Sequence, residues 1–290
     1  MAATHLSILN SMADFDFPKA LDKHVAWGLT HLDLKDMIFE KPVTELSPTE
    51  AGRAAEAIQS RGLGVYCLSS SLFGGDIEDG PDAFRARALE PLGRLLNVAR
   101  VLRPRLIRLL AAHSSRRAEF ADSADYLDAQ QPWVWGCYRE AIDRIHDAGF
   151  LATVENEAYL CLLSTPGEIA QFFAKLDRPG KVVLTWDVQN LWQMGSFPSL
   201  ETYGQIAPWL GYYHVKGGRG DGPQPALTWR SGLEEATWPV VEITRQVIAE
   251  GRSPVICLNP PHGALPPGQP DEHYTERDLA FLRRSFPEIV

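Results

Sequence analysis

Cysteine is scarce: four residues in 290, Cys67, Cys137, Cys161 and Cys257, with no CxxC pair or other close ligand spacing. That scatter excludes a disulfide framework and a thiolate zinc knuckle, and leaves four reduced core thiols. Positive charge is also in short supply, with 28 Lys and Arg against 37 Asp and Glu and a net charge of −9. Neither nucleic acid nor a membrane surface is therefore expected as a partner, because both are gripped through anionic groups. Apolar runs are short. LIRLLAA at 106–112 is typical of the longest, against the roughly 18–20 residues that span a bilayer. The opening MAATHLSILNSMADFDF lacks the basic and continuous apolar segments of a secretory signal, so the expected compartment is the cytoplasm. No GxGxxG turn follows the first strand candidate, and SSSLFGG after the third has the wrong spacing for a dinucleotide cradle.

What is present is alternation. Short β-rich runs occupy 5–10, 31–36, 65–71, 106–113, 151–157, 182–190, 212–218 and 255–260, each followed by a helix candidate. The helix starting after Ser47 carries a full set of start signals. Ser47 can cap, Pro48 suits the first helical position, Glu50 completes a capping box, and Gly62 ends the segment. Thr165, Pro166 and Glu168 repeat that grammar. Strands alternating with helices imply right-handed crossovers and a parallel sheet. Eight units of about 36 residues predict an α/β chain folded as one (β/α)8 TIM barrel over 1–290; an open doubly wound sheet is the alternative. The Pro/Gly-rich run at 260–270 reads as one surface loop.

In such a barrel the chemistry sits at the C-terminal ends of the strands. There the sequence places Glu155, Asn156 and Glu157 on the fifth strand, Asp187 on the sixth, His214 and Lys216 on the seventh, and Asn259 on the eighth. Two carboxylates and an imidazole from consecutive strand ends form an oxygen and nitrogen ligand set of the kind that holds Mn, Mg, Co or Zn. His113 after the fourth strand and His262 after the eighth are further titratable groups near the same rim, and each could have a catalytic or binding role. Strand alternation puts Glu157 on the face of Glu155, as an outer partner, a substrate contact or a solvated acid, and Lys216 on that of His214. It turns Trp186 away from Asp187, into the layer between sheet and helices. Trp192, Phe73 and Trp229 are read as loop aromatics able to form flat apolar walls of a binding site, and Arg219 as a residue able to reach over its mouth. Asp33, Lys35 and Asp36 could line the pocket; the pattern does not decide which of them face inward.

VENE before a capped TPGEIAQFF helix, LTWDVQN and YYHVKGG together resemble the xylose isomerase-like sugar isomerase/epimerase superfamily, closely over strands five to seven and in layout over the whole chain. The resemblance implies a barrel that binds one divalent metal, commonly manganese, through Glu155, Asp187 and His214, with Lys216 and Asn190 in or beside the substrate site. It also implies a small carbohydrate substrate, a keto sugar, polyol or oxidised glycoside; a homo-oligomer or partner subunit is compatible with it. Taken with the positions above, Glu155, Lys216 and His113 are the candidate catalytic groups, and Glu157, Asn190, Arg219, His262 and Trp192 the candidate substrate contacts. One position departs from the family. A fourth glutamate ligand is replaced by Asn259, whose carbonyl can coordinate a hard cation but brings no charge and takes no proton. Proton removal on one face and return on the other is thereby disfavoured against isomerisation or β-elimination. A non-catalytic barrel that binds a ligand or partner is the competing expectation.

Overall fold

The computed structural model describes residues 3–220, 231–259 and 274–289. Its strands are β1 (His5–Ile8), β2 (His31–Leu34), β3 (Gly64–Ser69), β4 (Leu106–Leu110), β5 (Leu151–Glu155), β6 (Val182–Asp187), β7 (Leu210–Val215) and β8 (Val255–Leu258). All paired strands are parallel, in the order β1-β8-β7-β6-β5-β4-β3-β2. A parallel bridge from Leu9 to Asp33 joins β1 to β2 and brings the ring round. This is a (β/α)8 barrel, as the alternation predicts; each strand is shorter than its apolar run because the last residues turn out into the rim.

The helices begin where the sequence signals put them. Pro48–Gln59 and Pro166–Leu176 both start on complete capping boxes, Ser47 with Glu50 and Thr165 with Glu168. Each box satisfies helix-end N–H groups that would otherwise be orphaned. Glu168 does more, since its buried carboxylate also accepts from Arg117 and Ser123 and so ties the rim after β4 to the rim after β5.

Outward-facing strand residues such as Leu32, Ile107, Val154, Leu184 and Ile256 pack under the helices in the main core. Trp186 lies there too, fully buried against Tyr203 and Tyr213. Inward residues fill the barrel in layers, as is usual for this architecture. The lower interior is apolar, with Tyr66, Leu106, Val255 and partly buried Leu151. Above it comes a polar belt in which Ser7, Asp33, Arg108, Thr153, Thr185 and Tyr212 are all buried.

Two register shifts aim the top layer. One falls between Leu32 and Asp33 where β2 meets β3, and the other between Leu184 and Thr185 where β6 meets β7. At the second, Gly211 is the extra residue of β7, and a Cβ there would stand 2.6 Å from Val183. Only glycine lets the strands close up, and the shift makes Asp187 and His214 direct cross-strand neighbours.

Candidate metal centre

Four donor groups from four successive strands meet at the C-terminal mouth. Glu155 ends β5, Asp187 ends β6, His214 is the penultimate residue of β7, and Asn259 follows β8. Glu155 Oε1 lies 3.0 Å from His214 Nδ1. That nitrogen is 3.0 Å from the Asn259 amide nitrogen, which is 3.3 Å from Asp187 Oδ2. Ligand atoms on one ion at bonds of about 2.1 Å stand roughly 3.0–3.4 Å apart, a spacing these contacts share with ordinary hydrogen bonds. A half-turn of the Asn259 amide exchanges its nitrogen for its oxygen, which makes it a fourth donor at the same place. Two carboxylates, one imidazole and one amide oxygen suit a hard or borderline divalent cation, and these residues fit such an ion.

The charges around this cluster are held individually. Asp187 caps the short helix Val188–Gln193, its Oδ1 accepting from the backbone N–H groups of Gln189 and Asn190 at 3.0 Å. Its Oδ2 meets the Lys216 ammonium at 2.9 Å, and Lys216 is only 2% exposed. Asn156 pins Asp187 further by exchanging two hydrogen bonds of 2.9 Å with its backbone.

Arg108, on β4, is the main group that sequence reasoning missed. Its guanidinium donates to Glu155 Oε2 and, at 3.3 Å, to the carbonyls of Ser69 and Ser70. Burial would raise the Glu155 carboxyl, but Arg108 and then His214 outweigh it and hold the group well below the usual carboxylate range. Glu155 is thus held as an anion, with Oε2 on Arg108 and Oε1 on the side of His214 Nδ1. Burial likewise opposes a charge on His214, yet Glu155 and Asp33 lift the ring to about 9. The signal for Arg108 was available: it is a charged residue at the inward position of an otherwise apolar strand, LIRLL.

Other candidates divide by position. Glu157 and His113 share a 360 Å³ cavity with Leu110 and Tyr159 at the mouth of β4 and β5. Glu157 is pushed up to about 7 by burial and then by the neighbouring charge of Glu155. The Asn190 amide nitrogen donates to it at 3.4 Å. The ring Nδ1 of His113 lies 3.1 Å from the Gly74 carbonyl. Arg219 is exposed beside the rim after β7. Of the three residues left open near the second strand, Asp33 faces inward and is fully buried, whereas Lys35 and Asp36 stay half-buried in the loop. His262 and Trp229 lie outside the described residues.

Two aromatic expectations are corrected. Trp192 is a helical residue, 0% exposed and packed on Trp238 with ring centres 5.5 Å apart. Phe73 is buried against Phe84 and Tyr138. Both were read as loop walls, but the apolar layer between barrel and helices continues up past the strand ends and takes them in. The exposed aromatic beside the cavity is Tyr159, a position with no periodic signal. A larger cavity of 420 Å³ lies at the opposite end, beside Val182 and Leu210, away from the donor cluster.

At the sequence level no family model and no curated protein gives a match. The fold is nonetheless that of known structures. The apo form of the 3-keto-D-glucoside 4-epimerase YcjR from E. coli superposes with a TM-score of 0.71 at 16% identity, covering 97% of this chain and 99% of that one. A xylose isomerase-like TIM barrel protein from Mycobacterium smegmatis, in complex with magnesium, gives 0.69 at 15% identity over 98% and 96%. The probable 3-DHS dehydratase AsbF from Bacillus anthracis gives 0.71 at 15% identity over 96% and 98%. At these identities the likeness shows the fold alone, a (β/α)8 TIM barrel along the whole chain.

Proposed function

We propose that this chain is a divalent-metal-dependent enzyme of the sugar isomerase/epimerase type. It would act on a keto sugar, polyol or oxidised glycoside by removing a proton next to a carbonyl. The observation that carries this reading is the buried cluster of Glu155, Asp187 and His214, whose ligand atoms lie within 4.8 Å of one another, with the Asn259 amide 3.0 Å from His214 Nδ1 and 3.3 Å from Asp187 Oδ2. Glu155, Asp187, His214 and Asn259 would hold the ion, which when bound supplies Lewis-acid polarisation of the carbonyl and an adjacent hydroxyl.

The remaining groups have separable tasks. Glu155, clamped by Arg108, serves as ligand and is a poor base. Glu157 faces the 360 Å³ cavity, a size within the roughly 300–1,000 Å³ of small-molecule sites, and is the group placed to take the proton. Asn190 steadies it. Lys216 brings fixed positive charge beside the place where the oxyanion develops. His113 lines the same cavity as a second group able to exchange a proton with the substrate.

The dehydratase reading, β-elimination on the same substrate class, is favoured by Asn259. Asparagine there stands in place of the glutamate that would return a proton to the opposite face, and elimination needs one base at a time. The fold shared with AsbF is compatible with that outcome.

Metal content of the protein purified without chelator, beside Asp187→Ala and His214→Ala, tests the site. The expected result is near-stoichiometric metal in the wild type, lost in both variants. A wild type that stays metal-free after soaking in Mn2+ refutes the reading. Glu157→Gln is expected to keep its metal and lose about 10²- to 10⁴-fold in turnover of the substrate found by screening keto sugars, inososes and 3-oxo-glycosides.

A further inference from the structure

The inward face of β2 presents one acidic residue to the barrel interior. Asp33 is fully buried, and a register shift immediately before it re-aims the strand there. Its Oδ2 accepts from the Tyr212 hydroxyl at 2.9 Å, and that hydroxyl is 3.1 Å from Ser7 Oγ. Its Oδ1 has no partner among the described residues. Beside the same carboxylate lies another buried atom without a hydrogen-bond partner among the described residues, His214 Nε2, 3.7 Å from Asp33 Oδ2. The Tyr212 ring stands edge-on to the imidazole, centres 4.7 Å apart at 82°, and restricts its rotation.

A buried ring nitrogen without a hydrogen-bond partner is costly unless a nearby acceptor serves it, and the Asp33 carboxylate is the acceptor beside Nε2. The ring nitrogen on the other side, Nδ1, is the one that points at Glu155 and Asn259. A histidine can present a lone pair on Nδ1 only if its ring hydrogen sits on Nε2, and a carboxylate beside Nε2 selects that form. Turning the ring over would put carbon, not nitrogen, toward the donor cluster.

We infer that Asp33, itself oriented by Tyr212, is the positioning residue that fixes the ring form and direction of His214, so that its Nδ1 completes the metal centre. This rests on the metal-enzyme reading above and extends it one shell inward, to residues that touch neither ion nor substrate.

Binding of Mn2+ alone to the full chain, measured by competition with a fluorescent chelator, tests it on wild type, Asp33→Asn and Tyr212→Phe. Asp33→Asn keeps the shape and removes the charge, and is expected to weaken Mn2+ binding about 10- to 100-fold, as loss of an outer partner does elsewhere. Tyr212→Phe is expected to weaken it in the same direction by a smaller factor, and decides the matter should Asp33→Asn fail to fold. The thermal midpoints of the metal-free proteins are read alongside. A purely structural role lowers those midpoints and leaves Mn2+ affinity of the folded fraction unchanged, and that result overturns the inference. Wild type and both variants binding Mn2+ within about twofold also overturns it, while leaving the functional reading intact. A wild type that binds no Mn2+ overturns both.

Discussion

Replacing Arg108 by methionine removes the one guanidinium buried inside the barrel among the described residues while keeping the length of its apolar stem. Both partners of its ion pair are nearly inaccessible, at 4% and 2% side-chain exposure. Breaking such a pair leaves an uncompensated buried carboxylate on Glu155 and strips two carbonyls, of Ser69 and Ser70, of a donor. Losses of about 3–5 kcal/mol are typical for one partner of a buried pair. For a chain of this size that is a fall in melting temperature of roughly 6–10 °C, at ~2 °C per kcal/mol. Glu155→Gln should cost a similar amount, by stranding the arginine. The double variant should cost much less than the sum of the two, since neither charge is then left alone. Urea denaturation of the four metal-free proteins gives the cycle directly. A loss below about 1 kcal/mol for Arg108→Met, or strictly additive single losses, would refute the claim that this arginine neutralises Glu155.

Other regions make independent predictions. Asp278, buried in the helix Tyr274–Ser285, is pushed up to about 7 by burial, against the pull of the Leu233 N–H that it accepts at 2.8 Å. Its folded form holds the proton more tightly than the unfolded chain, whose aspartates titrate near 3.8. Stability should therefore decline as pH rises from about 4 through about 7 and then level off; Asp278→Asn should flatten that part of the denaturation profile, and an unchanged slope would count against it. Gly211→Ala places a methyl 2.6 Å from Val183 at the β6–β7 register shift. It should cost about 1–3 kcal/mol and reduce metal uptake, because Asp187 and His214 lose their register; a melting curve and metal analysis check both. Ser47→Ala deletes one half of a capping box and should cost about 1 kcal/mol in urea titration with no change in metal content.

Periodicity and capping are local, so the ring of strands and the starts of the helices Pro48–Gln59 and Pro166–Leu176 could be read directly from spacing. The clustering of the candidate ligands was legible for the same reason: alternation in a strand determines which residues share a face, and Glu155, Asp187, His214 and Lys216 all lie at inward positions of adjacent strand ends. What a strand faces across the barrel is not local. Arg108 meets Glu155 from 47 residues away and Tyr212 reaches Asp33 from 179, and no spacing rule connects residues whose neighbourhood exists only after eight strands have closed. Burial above the strand ends is equally non-local: Trp192 and Phe73 read as loop residues from their place after strands, yet helix packing covers both. The chain by itself therefore determined the barrel, its polarity and the residues able to hold a cation. Tertiary structure alone decided which of those carboxylates is neutralised, which rim acid faces the cavity and which interior aspartate stands behind the histidine, because each depends on closure of the ring and on two register shifts that re-aim the side chains.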